Sequence, residues 1–210
     1  MTIKTIEVAG FASALQALRL PYNKDTESQI ELEQQCYVAM DDDYTHVMES
    51  ESYIRTAKKD VTLLQMLMIK GDSHCKPQRG ILAYLDITVG IGVWAEIETY
   101  RAGHERLFSA STMHTEGKGL KGLALKKVKQ TISVERPVRK IDYFSYQCLR
   151  NIVKQRYNHR DPDWHYFIEH IKTLPLAQEL IVYGLDEQIK IHDQMWEEYK
   201  AELHNEEKQD

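Results

Sequence analysis

The chain has no apolar run long enough to span a membrane, and no Gly-rich phosphate loop. The nearest candidate, GKGLKG at 117–122, lacks both the P-loop spacing and a strand ahead of it. Three cysteines, Cys36, Cys75 and Cys148, are scattered and form no CxxC pair, which argues against a disulfide framework or structural zinc and suits a reducing compartment. The start, MTIKTIEVAG, lacks the apolar stretch of a secretory signal, so the cytoplasm is the expected location. His104 and Glu105 lack the HExxH spacing; His159, Asp161, His165, Glu169 and His170 are dense, but Asp161 reads better as a helix cap, so no metal is expected.

What is present is ordinary globular material: 210 residues, 42% hydrophobic and 28% charged, enough for one domain spanning 1–210. A net charge of -5 gives no global reason for nucleic-acid or membrane binding. The charges are segregated, however. Residues 25–51 are acidic, whereas 117–140 carry five lysines and Arg136, Arg139 and Lys140 against Glu135 alone. That basic stretch has no aromatic residue, which weighs against single-stranded nucleic acid as its partner.

Periodicity predicts a helix-rich α+β domain with a small sheet. Ile3–Val8 reads as a strand and Phe11–Leu20 as a short helix ended by Pro21. Residues 22–50 read as a long loop or an added helix. Ile54, Ala57, Val61, Leu64 and Met68 mark an amphipathic helix, and Ile81 to Val89 alternates as a strand. Helical spacing is then expected over Val93–Arg106, a long basic loop with room for one short helix over 107–138, and helix again over Ile141–Arg156. Asp161-Pro162 starts a helix that turns Trp164, Phe167, Ile168, Ile171 and Leu174 inward. A final helix covers about Leu176–Tyr199, ahead of a charged tail, 201–210.

Two arginines fall on stripes that should enter the core. Trp94, Ile97, Arg101 and His104 share a face at helical spacing, and an arginine there needs a partner. Either Glu98 pairs with Arg101, or Arg101 faces an anion. Arg156 continues the stripe of Leu149, Ile152 and Val153; it either snorkels at the helix end or turns its planar fork toward a phosphate or base edge. The hydroxyl-rich stretch Ser109, Ser111, Thr112 and His114 suits phosphate or carboxylate recognition.

The stretches ALQALRLP (14–21), ILAYLDITVGIGVWAEIETYRAG (81–103), SASTMH (109–114) and LRNIVKQR (149–156) resemble a family of bacteriophage and prophage proteins, itself distantly similar to flavin-dependent thymidylate synthases. In that enzyme family a strand leads into a helix ending in Arg-His-Arg, followed by a serine-containing nucleotide loop. A later helix carries an arginine for the nucleotide base. By this resemblance Arg101 takes the first arginine's place, Ser111 the loop serine's and Arg156 the base-binding arginine's. Ala177-Gln178-Glu179-Leu180 looks like the family's Ala-Gln segment. Ala102 and Gly103 stand at the His-Arg positions, with His104 and Arg106 as replacements one turn on. The resemblance implies a dUMP-like pyrimidine nucleotide held by Arg101, Ser109, Ser111, Thr112 and His114, catalysis through Arg156, FAD contacts at His104 and Arg106, and a homo-oligomer. It equally admits a non-catalytic phage accessory protein that binds a host protein or sequesters a nucleotide in the host cytoplasm.

Overall fold

A computed structural model describes residues 1–24, 29–30, 37–40, 45–48, 54–55, 58–111 and 114–206. The chain divides into two compact units, Gly10–Gly80 and a larger one of Met1–Ala9 with Ile81–Asp210.

In the smaller unit, α1 (Phe11–Leu18) buries Phe11, Ala14, Leu15 and Leu18, the residues its spacing places on one face. α2 (Lys58–Ile69) buries Leu64 and Met68. It starts later than its apolar period suggests, because Ile54 belongs to a strand. Asp60 is wholly buried and is tied to Arg19 at 2.5 Å, which supplies the charge partner such a carboxylate needs. Where a loop or helix was expected there are short antiparallel pairs: β2 (Gln29–Ile30) with β5 (Ile54–Arg55), and β3 (Tyr37–Met40) with β4 (Thr45–Met48).

The larger unit is built on an antiparallel sheet ordered β1-β6-β8-β7. Its strands are β1 (Thr2–Ala9), β6 (Leu82–Gly90), β7 (His104–Ser109) and β8 (Pro137–Ser145). On β6 the alternate residues Ala83, Leu85, Ile87 and Val89 are buried, as the sequence alternation requires. They lie beside Phe144, Asp142, Lys140 and Val138 of β8. This mixed row explains why β8 does not show in the sequence as a strand: two of its four inward positions are charged, so the alternation of apolar residues is broken.

α5 (Tyr146–Arg156) and α6 (Pro162–Lys172) supply most of the helical core. Leu149, Ile152, Val153, Trp164, Phe167, Ile168 and Ile171 are all fully buried. Asp161 caps α6, its side chain accepting from the Asp163 N–H, and Pro162 occupies the first turn. The expected last helix is two: α7 (Ala177–Leu180) and α8 (Asp186–Glu206), separated by a turn in which Gly184 takes a positive φ of 69°. α8 runs to Glu206, into the charged segment 201–210 expected to follow the last helix. No helix among the described residues is long and apolar enough to cross a membrane.

Candidate functional site

The helix predicted to run from Val93 to Arg106 stops early. α3 spans Ile91–Ile97, and the chain then turns through Glu98–Gly103 into β7. Gly103 makes this turn practicable. Its φ is 83°, and a Cβ there would lie 2.2 Å from Ser145 Oγ, while its carbonyl accepts the Ser145 N–H at 2.6 Å. Arg101 therefore sits on an exposed turn instead of an inward helical face, and His104 and Arg106 are strand residues. The shared helical face of Trp94, Ile97, Arg101 and His104 is limited in reality to the first two, both buried.

The inward face of β8 sets the electrostatics beside this turn. Lys140 lies 4.2 Å from the centre of the Trp94 ring, and the Trp94 indole N–H donates to the Val138 carbonyl at 2.8 Å. Lys140 and Arg106 both donate to Glu98 Oε1. Glu98 is thus the partner of those two cations and not, as one reading of the sequence had it, of Arg101. Burial, with the nearby positive Arg106, pulls the Lys140 ammonium down to about 8, against the opposing pull of Asp142.

Asp142 is completely buried. Its Oδ2 is 2.7 Å from His104 Nε2, and its Oδ1 has no hydrogen-bond partner. Leaving a buried acceptor oxygen unsatisfied costs on the order of 1–3 kcal/mol. The His104 ring stacks on Phe144 with centroids 4.3 Å apart and planes 2° from parallel. Sequence reading missed Asp142, since its partner lies across a strand pair that was not expected.

Glu98, Arg101, His104, Glu105 and Arg106 together line an open cleft of about 380 Å³. The Arg101 guanidinium makes no ion pair or hydrogen bond among the described residues, while its backbone N–H donates to the Thr99 carbonyl at 3.0 Å. The other predicted site residues lie elsewhere. Ser109 ends β7, its hydroxyl donating to the Ala110 carbonyl at 3.2 Å. The Ser111 carbonyl accepts from the His114 N–H at 3.1 Å in a turn, with His114 exposed. Thr112 lies outside the described residues. From the strand rise, His104 and Ser109 are separated by roughly 17 Å. A single chain does not close the two ends of β7 around one small ligand. Thr115 and Glu116 secure the turn: Arg136 donates to both Glu116 oxygens, at 2.6 and 2.8 Å. The Thr115 hydroxyl, the Glu116 N–H and Arg136 hold this carboxyl down at about 2.

Arg156 belongs to a separate cluster. Its Nη1 donates to Glu96 Oε2 at 2.9 Å, its Nε to the Tyr100 hydroxyl at 2.8 Å, and its guanidinium lies 4.6 Å from the Trp164 ring centre. The Trp164 indole also donates to Glu96, at 3.0 Å. Arg156 is neither a snorkelling residue nor a free fork; it is a paired one. Glu96 also borders a second open cleft, of about 310 Å³, shared with Glu135, Asp161 and Asp163. That acidic lining repels anions.

One group of potential metal ligands occurs among the described residues: Glu169, His192 and Asp193. The Lys172 ammonium already bridges its two carboxylates at 2.7 Å each, and this interaction ties α6 to α8.

No family model matches the chain, and no protein of curated function does. Solved structures do. The flavin-dependent thymidylate synthase of Helicobacter pylori, in a complex with FAD and dUMP, is similar at a TM-score of 0.57 and 11% identity, covering 86% of this chain and 97% of that one. A second structure of a Helicobacter pylori thymidylate synthase of this type, also with FAD and dUMP, gives 0.58 and 12%, covering 90% and 100%. At such identities the likeness shows the fold: this chain is an α+β protein with the architecture of flavin-dependent thymidylate synthases.

Proposed function

We propose that this chain is a nucleotide-pocket protein of phage type that binds a dUMP-like pyrimidine nucleotide on the thymidylate synthase scaffold. The observation that carries this reading is Arg101. Its guanidinium is unpartnered in a cleft whose other cation, Arg106, shares Glu98 with Lys140, and it occupies the place that the resemblance gives to a phosphate-binding arginine. The dUMP held by the structural neighbours supports the same ligand class.

Ser109, Ser111, Thr112 and His114 would complete the phosphate and sugar contacts from a second copy of the chain, because one copy holds them too far from Arg101. Exposed apolar side chains in the same stretch favour such an assembly. Phe108 is 80% exposed and Leu123 77%, β7 is an edge strand, and α4 (Gly122–Gln130) buries no residue. Arg156 would meet the base after release from Glu96.

An FAD, as in the neighbours, would supply hydride for methylation of the nucleotide. Within one chain the residues carried over for it fit poorly: Arg106 is committed to Glu98, and His104 has only Nδ1 left beside its bond to Asp142. No reaction step is therefore routed through a flavin. The same observation favours a second reading, in which a non-catalytic accessory protein retains the nucleotide pocket to sequester its ligand or to bind a host protein in the cytoplasm.

The test is the absorption spectrum of the purified protein, followed by denaturation and analysis of the released small molecules. Released nucleotide is expected. A flavin spectrum would favour the enzyme, whereas nucleotide without flavin would favour the accessory protein. A preparation that releases nothing and binds no added dUMP at millimolar concentration would overturn the nucleotide reading and leave the host-protein form of the second, which co-purification from expressing cells tests.

A further inference from the structure

The His104–Asp142 pair joins β7 to β8 at a cost that an apolar pair would not carry. An apolar residue at 142 would satisfy the core better, since Asp142 Oδ1 is buried without a partner and Lys140, two residues away on the same strand, donates to Glu98 instead. What the carboxylate does is receive the Nε2–H of His104 at 2.7 Å, while Phe144 fixes the plane of the ring from below. An imidazole held this way has a set tautomer and a set direction. Nδ1 remains without a hydrogen-bond partner among the described residues, on a side chain that lines the cleft. Neutral, that nitrogen accepts; protonated, it donates, with Asp142 compensating the charge.

The charged groups around the imidazole come from every neighbouring element. Asp142 and Lys140 are on β8, Arg106 and Glu105 on β7, Glu98 at the end of α3 and Arg101 on the turn between them. Lys140 and Arg106 share Glu98, which leaves Arg101 as the cation of the cleft without a side-chain partner.

We propose that this dyad makes the cleft a proton-coupled phosphate site: Arg101 holds a dianionic phosphate monoester, and His104 takes up a proton on Nδ1 and donates it in a hydrogen bond to the ligand. The proton comes from solvent, remains on the imidazole, and no covalent bond of the ligand changes. The inference rests on the nucleotide reading only in taking a phosphate group as ligand.

Calorimetric titrations with inorganic phosphate and with dUMP, at about pH 8 in buffers of different ionisation enthalpy, count the protons taken up on binding. Wild-type protein is expected to bind both with uptake of up to about one proton. His104→Gln retains a hydrogen-bond donor for Asp142 but no titratable ring; about tenfold weaker binding with no proton uptake is expected. Arg101→Gln, at an exposed position where folding is not at stake, should lose binding of both ligands. Binding without proton uptake in the wild type, the same uptake in His104→Gln, or no binding of either ligand would overturn the proposal. Phosphate bound with uptake, alongside dUMP that binds no more tightly, would sink the pyrimidine-nucleotide reading and leave this one standing. Retention of dUMP without uptake would do the reverse.

Discussion

α5 and α4 are both short helices with an apolar side, yet α5 buries seven residues and α4 none. The same local pattern therefore has two meanings. Around α5 it builds a core: Trp164, Phe167 and Phe144 meet edge to face at 5.8 Å, and Tyr146 donates to the Pro175 carbonyl at 2.7 Å. Around α4 and β7 it leaves apolar side chains uncovered, and isolated helices this short are marginal in water. The first region is core; the second is the surface that the proposed second copy would cover.

This contrast breaks most sharply in the core. Trp164→Ala should cost about 3–5 kcal/mol, enough to unfold much of the protein, whereas Leu123→Ala should stay within about 0.5 kcal/mol. Denaturant titration of the two variants checks the difference, and equal losses would refute it. Next in size is Gly103→Ala, which combines a strained φ with a clash on Ser145, the N-cap of α5. A loss of about 1–3 kcal/mol is expected in the same titration, with the His104–Asp142 geometry disturbed as well. At the periphery, Phe108→Glu with Leu123→Glu should convert an oligomer into a folded monomer in sedimentation velocity; a wild-type monomer would remove the need for a covering copy.

The smallest effect is expected at Glu116. Its folded carboxyl is depressed from 4.5 to about 2, so its contribution is fully present above about 4.5 and is lost as pH falls through about 2. Protection against hydrogen exchange in the 114–118 turn should fall across that window ahead of α5. Because the group is exposed, the global melting temperature should barely follow.

Those regions were also unequally legible in the sequence. β6, α5 and α6 each bury one clean apolar face, so their period states their structure. β8 hides its alternation behind Lys140 and Asp142, and β7 is an edge strand that exposes Leu107 and Phe108, so neither shows the pattern of a half-buried strand. Arg101, His104 and Arg106 could be singled out by sequence as one group, and the fold does bring them to one cleft. Their partners could not: Asp142 and Glu98 reach His104 and Arg106 through strand pairing and a turn that depends on Gly103. Arg156 was recognisable as an inward arginine, but the Glu96 that engages it lies sixty residues earlier in sequence.

The most direct measurement is a dUMP titration of the wild-type protein beside Arg101→Ala. Saturable binding is expected, weakened about tenfold or more in Arg101→Ala, as when a charge-assisted phosphate contact is removed. Equal affinity in the two proteins, or no binding by a well-folded wild type at millimolar dUMP, would contradict the nucleotide reading.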